Sequence, residues 1–381
     1  MAWVFFMCGL GSAAYGSGGL VVCQTWRLLS QGLYVPDRQH VFTIKTSRRE
    51  GAKGHRGQAN RSLWPFAVVE HIDRVAICCL TWCAWVFIII VNIHLQTKGS
   101  IMRIQAFSTG KGYVKEAMWR ARRSGVARHL DTFTDRRWSE AIPIYVWVIE
   151  HDEGIFVVDT GERADAPHAP FARFEIAPEQ EVGPQLAALG ITPADVRAVI
   201  LTHLHGDHMD GMATFANNTF LVGREEWQDT QKLSQRLIFR ALGQQIPSWF
   251  QPQLVDLRPE PLGPFPRSFA VTRDGAITLV PTPGHTRGHL SVVVRDGDLS
   301  YFLAGDAAYT ERHLLERQID GVGFYPQDAR RSMDQIAAYM ALHPTIFLPS
   351  HDPDAGRRLR ERAITTPVAA GAAYGAGKIA A

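Results

Sequence analysis

From residue 102 onward, short apolar runs alternate with amphipathic stretches, a pattern that predicts strands interleaved with helices. Residues 144–149 and 155–158 are apolar and flank His151-Asp152-Glu153-Gly154, which reads as a hairpin. Residues 196–201, by their length and branched side chains, read as a buried strand. Further strand candidates are 220–222, 277–280, 290–294, 301–304 and 346–348. Residues 179–189 read as a helix closed by Gly190, and 207–215 as a second that starts at Asp207. Residues 329–342 read as an amphipathic helix, with Met333, Ile336, Ala337 and Met340 on one face and Pro344 beyond its end. The set predicts an α/β domain in which sheets are faced by helices, in layers.

The first 101 residues have another character. Residues 1–23 are apolar and Gly/Ser-rich with no basic segment before them, a poor signal peptide. Residues 75–91 run without a charge and, extended through 93–95, reach the roughly 20 residues that span a bilayer. One reading is a transmembrane segment over 75–95, with the basic loop before it inside and the region after it outside. The other takes 1–101 as an extension that is not part of the native protein, with Met102 as a natural start opening into a strand. The expected organisation is an N-terminal extension over 1–101, a folded domain over 102–365 and a flexible Ala/Gly-rich tail over 366–381.

Composition sharpens this division. The net charge of +3 hides 10 basic against 4 acidic residues before position 102 and 30 against 33 after it. The mildly acidic second part argues against a nucleic-acid-binding face. All five cysteines (Cys8, Cys23, Cys78, Cys79 and Cys83) precede residue 102, so the rest has neither a disulfide framework nor a thiolate metal site. Any metal there must be held by histidine and carboxylate.

Such residues occur in five short stretches: Asp159-Thr160-Gly161, Thr202-His203-Leu204-His205-Gly206-Asp207-His208, Gly284-His285, Gly305-Asp306 and Ser350-His351. His203, Asp306 and His351 each follow an apolar run within three residues, and His285 follows at five. Loops at strand ends can converge on one sheet edge. His203 and His205, two apart, point the same way in extended backbone. Five imidazoles and two carboxylates suffice for two divalent cations. The plain alternative is a polar surface loop, which three histidines and an aspartate within six residues disfavour.

This set resembles the metallo-β-lactamase superfamily of binuclear hydrolases, over about residues 104–362. The resemblance implies a four-layer αββα sandwich with the metal site along one edge of the sheets. It implies that His203, His205 and His285 bind one metal, that Asp207, His208 and His351 bind a second, and that Asp306 bridges both. Asp159 would buttress the metal loop. His289 is not implied as a ligand, and His129, His151, His168, His313 and His343 read as surface or capping residues. The donors suit zinc first, with iron, cobalt or manganese as alternatives. His205 stands where oxygen-reducing diiron relatives carry glutamate, which weighs against redox use.

Gly305-Asp306-Ala307-Ala308-Tyr309-Thr310 is similar to the N-acyl homoserine lactonase branch. That likeness implies attack of a metal-bridging hydroxide on the lactone carbonyl, with the Tyr309 hydroxyl on the carbonyl oxygen and Asp207 moving the proton. Core packing is the plain alternative for Tyr309. The Gly-rich, Arg-containing segment of glyoxalase II is missing. The expected substrate is thus a small acyl lactone, the role quorum quenching, and the location cytoplasmic, or membrane-anchored if 1–101 is genuine. A homodimer is the assembly considered. Another ester, thioester, organophosphate or β-lactam hydrolase is the alternative on this scaffold. A membrane-tethered metal-binding or sensor module is the non-enzyme alternative. Met118, Trp119, Phe133 and Trp138, or Leu237, Phe239, Ile246, Trp249 and Phe250, could line an acyl groove, with 247–250 as the lid candidate.

Overall fold

The computed structural model describes residues 102–367 apart from 242, 243 and 245, together with the backbone of three strands near the N-terminus. Those strands, β1 (Val4–Gly9), β2 (Leu20–Leu28) and β3 (Tyr34–Thr43), pair antiparallel in the order β1-β2-β3, within a unit separate from the one that holds the remaining elements. The membrane segment expected at 75–95, like residues 368–381 of the tail, lies outside the described residues. Among the described residues no helix is long and apolar enough to cross a membrane.

The second unit is built on two sheets. The first contains β4 (Arg103–Val114), β5 (Ile142–His151), β6 (Gly154–Val158), β7 (Ala172–Glu175), β8 (Val196–Leu201), β9 (Phe220–Gly223) and β10 (Gln253–Val255), in the order β10-β9-β8-β6-β5-β4-β7. The second contains β11 (Phe269–Ala270), β12 (Ile277–Pro281), β13 (Leu290–Asp296), β14 (Leu299–Gly305) and β15 (Thr345–Pro349), in sequence order. Strands β6, β8, β9 and β10 run parallel, as do β14 and β15.

Alternation along the strands sets the layers, because successive side chains leave opposite faces. Trp147, Ile149, Phe156 and Ile200 of the first sheet join Leu279, Val292, Leu303 and Ile346 of the second in one core between the sheets. Their neighbours Val146, Val148, Val157 and Val199 point the other way and pack with Leu186, Met212 and Phe215. On the far side of the second sheet, Val293, Phe302 and Phe347 pack with Met333, Ile336 and Tyr339 of the helix Pro326–Leu342. This is the αββα sandwich expected from the resemblance. It also explains why β15 and, apart from the exposed Arg197, β8 are buried along their length, since both faces of these strands are covered.

Element boundaries differ where glycine or proline intervenes. The helix expected at 179–189 is a 3-10 turn, Pro178–Gln180, followed by Val182–Ala188. The helix expected at 207–215 is a single α turn, Gly206–Met209, that tightens into the 3-10 helix Asp210–Phe215. A Cβ at Gly211 would collide with the Thr160 carbonyl, so this turn lies against the backbone of the Asp159 loop.

Phe302→Ala should destabilise the fold by roughly 3–5 kcal/mol, the usual cost of emptying a buried phenylalanine site. Phe324→Ala, at a side chain 59% exposed, should shift a urea unfolding midpoint far less.

Candidate metal centre

The residues singled out by spacing meet at one end of the two sheets. Asp159 follows β6 and the segment 202–208 follows β8, both at C-terminal strand ends of the first sheet. From the second sheet, His285 follows β12, Asp306 follows β14 and His351 follows β15. The approach is close enough to demand glycine at position 305. Its φ is +55°, and a Cβ there would lie 2.8 Å from His289 Nε2 and 2.9 Å from Thr202 Oγ1.

The donor atoms form overlapping groups, His203/His205/His285, His203/His208/Asp306 and Asp207/His208/His351, any of which could hold a cation. His205 Nδ1 lies 3.1 Å from His203 Nε2 and 2.9 Å from His285 Nε2. His208 Nε2 and His351 Nε2 are 3.3 Å apart, with Asp207 Oδ2 3.4 Å from His351 Nε2. Asp306 joins the two sides. Its Oδ2 is 3.3 Å from His285 Nε2, while its Oδ1 is 3.3 Å from His208 Nε2 and 3.2 Å from His351 Nε2.

Both nitrogens of most of these rings are spoken for. His208 Nδ1 is 2.8 Å from Asp159 Oδ2, and His203 Nδ1 is 3.1 Å from Thr202 Oγ1. Thr202 also donates its N–H to Asp159 Oδ1 at 2.8 Å and its hydroxyl to Asp159 Oδ2 at 2.9 Å. His285 Nδ1 faces Asp320 Oδ2 at 3.3 Å, and His351 Nδ1 donates to the Pro143 carbonyl at 3.0 Å. Such contacts fix the tautomer and aim the other nitrogen inward. Asp159 takes its place in a left-handed backbone, φ 61°, a conformation of real cost for a residue with a side chain. Its hydrogen bonds hold it there.

Burial keeps the His203 and His205 rings neutral, with His205 pushed down to about 3. A neutral imidazole offers the lone pair that a cation requires. For His208 and His351 burial also opposes the charged form, but Asp306 and the other carboxylates beside them outweigh it and raise both. For Asp306 burial works toward protonation, and His351, His208 and His285 overcome it and hold the carboxyl well below its ordinary range. Among the described residues, Asp306 Oδ1 is buried without a hydrogen-bond partner. An orphaned carboxylate oxygen among imidazoles is what a divalent cation would satisfy, and the all-N/O donor set suits zinc. The residues therefore fit a metal.

His289 stays outside these groups. Its Nε2 accepts from the Asp306 N–H at 3.0 Å and its Nδ1 meets Thr282 Oγ1 at 2.9 Å, so it positions Asp306. Tyr309 is buried against both sides of the cluster, its ring centroid 5.7 Å from that of His285 and 5.5 Å from that of His351. Trp119 stacks on it at 5.0 Å. Burial, and after it the charges of Asp320, Asp306 and Asp207, push the Tyr309 phenol well above its ordinary range.

Several expectations need correction. His151 and His313 are buried, so the surface half of that reading fails, while His151 does cap its turn, its Nδ1 accepting from Glu153 N–H at 3.0 Å. His151 pairs with Asp274 at 3.0 Å, and His313 joins Thr310 Oγ1 at 2.7 Å to the Trp119 carbonyl at 3.1 Å. Trp138 is covered by Lys115 and Arg173, which lie over its ring. Phe250, in the expected lid, is core, packed on Phe220 and Trp227. Two site residues were missed. Asp320 orients His285. Glu226, buried, accepts from Leu204 N at 3.0 Å and from Gly288 N at 3.2 Å, tying the loop after β8 to the loop after β12.

Two predictions follow from these supports. Asp159→Asn keeps a side chain that tolerates the left-handed backbone but removes the charge behind His208. Metal affinity, read by chelator competition, should fall about 10- to 100-fold. Glu162, buried three residues beyond Asp159, is pushed up to about 9 by burial, then by Asp210 and Asp207. The folded state therefore holds a proton that the unfolded chain releases near its ordinary 4.5. Stability from this group is present below that pH and is lost as pH rises toward 9. Glu162→Gln should raise the melting temperature more at pH 8 than at pH 5.

A family model described as the metallo-beta-lactamase superfamily matches residues 140–351. The N-acyl homoserine lactonase AttM of Rhizobium radiobacter is 29% identical over 233 residues, 56% of this chain and 83% of that protein. A probable metallo-hydrolase of Mycobacterium tuberculosis is 29% identical over 263 residues, 62% of this chain and 83% of its own. An N-acyl homoserine lactone hydrolase, solved with the product N-hexanoyl-L-homoserine at its catalytic metal center, superposes with a TM-score of 0.53. It is 18% identical and the match covers 69% of this chain and 96% of that one, a likeness of fold. Matched over more than half of its length, this chain belongs to the metallo-β-lactamase superfamily of metal-dependent hydrolases.

Proposed function

We propose that this hydrolase opens the lactone ring of N-acyl homoserine lactones, a quorum-quenching activity, with two divalent cations, zinc first among them. His203, His205 and His285 hold one cation, Asp207, His208 and His351 hold the other, and Asp306 bridges. The observation that carries the two-metal reading is the placement of Asp306, one oxygen toward His285 and the other toward His208 and His351. Tyr309, packed against His285 and His351 three residues after that bridge, supports the lactonase reading, as do the relatives named lactonases. The hydrolase domain is taken as 102–365, with 1–101 outside it.

When bound, the cations supply Lewis acidity for the carbonyl oxygen and a water of lowered pKa as nucleophile. The remaining chemistry belongs to the chain. Tyr309 keeps its phenolic proton because burial disfavours the phenolate, so it donates a hydrogen bond to the carbonyl oxygen as charge builds there. Asp207, the half-buried carboxylate of the cluster, takes a proton at its carboxylate and returns it to the departing ring oxygen. Trp119, stacked on Tyr309, gives the acyl side of the substrate an apolar wall.

The test is ring opening of a medium-chain N-acyl homoserine lactone, followed by proton release with and without a chelator. Fast, chelator-sensitive turnover is expected. A protein that retains its metals yet leaves every lactone intact would shift the substrate to esters, thioesters or phosphotriesters. Tyr309→Phe should lower kcat on the order of a hundredfold with metal content unchanged. Asp306→Asn should lose both metal and activity.

A further inference from the structure

Away from the metal centre, a cavity of about 740 Å³ opens between the segment 121–128 and the segment 316–330. Five arginines line it, Arg122, Arg123, Arg128, Arg317 and Arg330, against the single carboxylate of Glu316. Glu316 is engaged by Arg312 at 2.7 Å. Three of the five arginines are likewise engaged: Arg122 with Asp135, Arg123 with Asp131 and Arg317 with Asp334. Arg128 and Arg330 form no ion pair with a described residue.

Arg128 is the decisive group. It is only 4% exposed, and it spends one guanidinium nitrogen on the Gly323 carbonyl. Its Nε is buried with no acceptor among the described residues. A buried donor on a permanently charged group is costly to leave unmade. Two helices also begin at this cavity, Val126–Thr134 behind Gly125 and Pro326–Leu342 at Pro326, and neither has a side-chain cap. Their free N–H groups and dipoles favour an anion in the same place. The Gln318 amide lines the wall as well, and its Oε1 has no hydrogen-bond partner among the described residues.

We infer that this cavity is a binding site for the phosphate group of a small phosphate monoester, held by Arg128 and Arg330 between the two helix N-termini. Guanidinium forks and backbone N–H groups are the donors that match the terminal oxygens of a phosphate. The volume exceeds that of a lone phosphate and leaves room for the esterified group, whose hydroxyls Gln318 can bind. The site goes beyond the hydrolytic reading and stands or falls independently of it.

The experiment is calorimetric titration of the metal-loaded full chain with AMP, with adenosine and inorganic phosphate as comparison probes. AMP should bind at one site, inorganic phosphate should compete, and adenosine should give no heat. Affinity should weaken with added salt. Arg330→Gln, at an exposed position, should weaken AMP binding about tenfold with metal content and turnover unchanged. Arg128→Gln should weaken it further, with circular dichroism used to confirm the fold. AMP binding that Arg330→Gln leaves unaltered would place the phosphate outside this cavity and overturn the inference. So would adenosine binding as well as AMP, or no AMP binding at all.

Discussion

The structure depends on one uncomfortable placement: the Asp306 carboxylate is buried among imidazoles, with an oxygen that no hydrogen-bond donor among the described residues satisfies. Removing such a charge from water is expensive unless countercharge surrounds it. The fold meets that demand with neighbours rather than with solvent. His289 receives the Asp306 N–H, Gly305 clears the space, and His208, His285 and His351 stand close to the two oxygens.

The sheets make the placement possible. Parallel strands covered on both faces end in loops at one edge, and the clustered histidines and carboxylates lie on those loops. Rigid strands beneath short loops leave little freedom for the side chains above them. The strained Asp159 backbone is tolerated because Thr202 and His208 together hold its carboxylate.

Most of this frame was legible in the chain. Alternation gave the strands, and short spacing after strand ends gave His203, His205, Asp207, His208, Asp306 and His351, because those features are local. The rest was set by contacts over long separations. Asp320 reaches His285 from a segment with no periodicity, and Glu226 joins loops on different sheets, so neither leaves a signal at fixed spacing. Phe250 and His313 were misplaced for the same reason: a Pro-flanked aromatic and an isolated histidine look alike whether packed or exposed until their partners are known. Helix limits shifted where a glycine had to approach backbone, as at Gly211.

The Glu226 tie has a wider meaning. His203, His205, Asp207 and His208 are carried by the first sheet, whereas His285, Asp306 and His351 are carried by the second. A fragment that ends before β11 would own the densest run of histidines and still lack the Asp306 carboxylate that stands between the two groups. The centre is thus a seam, closed only when the two halves of the sandwich have docked. Metal retention in such an architecture is a gauge of completed assembly, and a cation that joins the halves acts as a rivet on the finished fold.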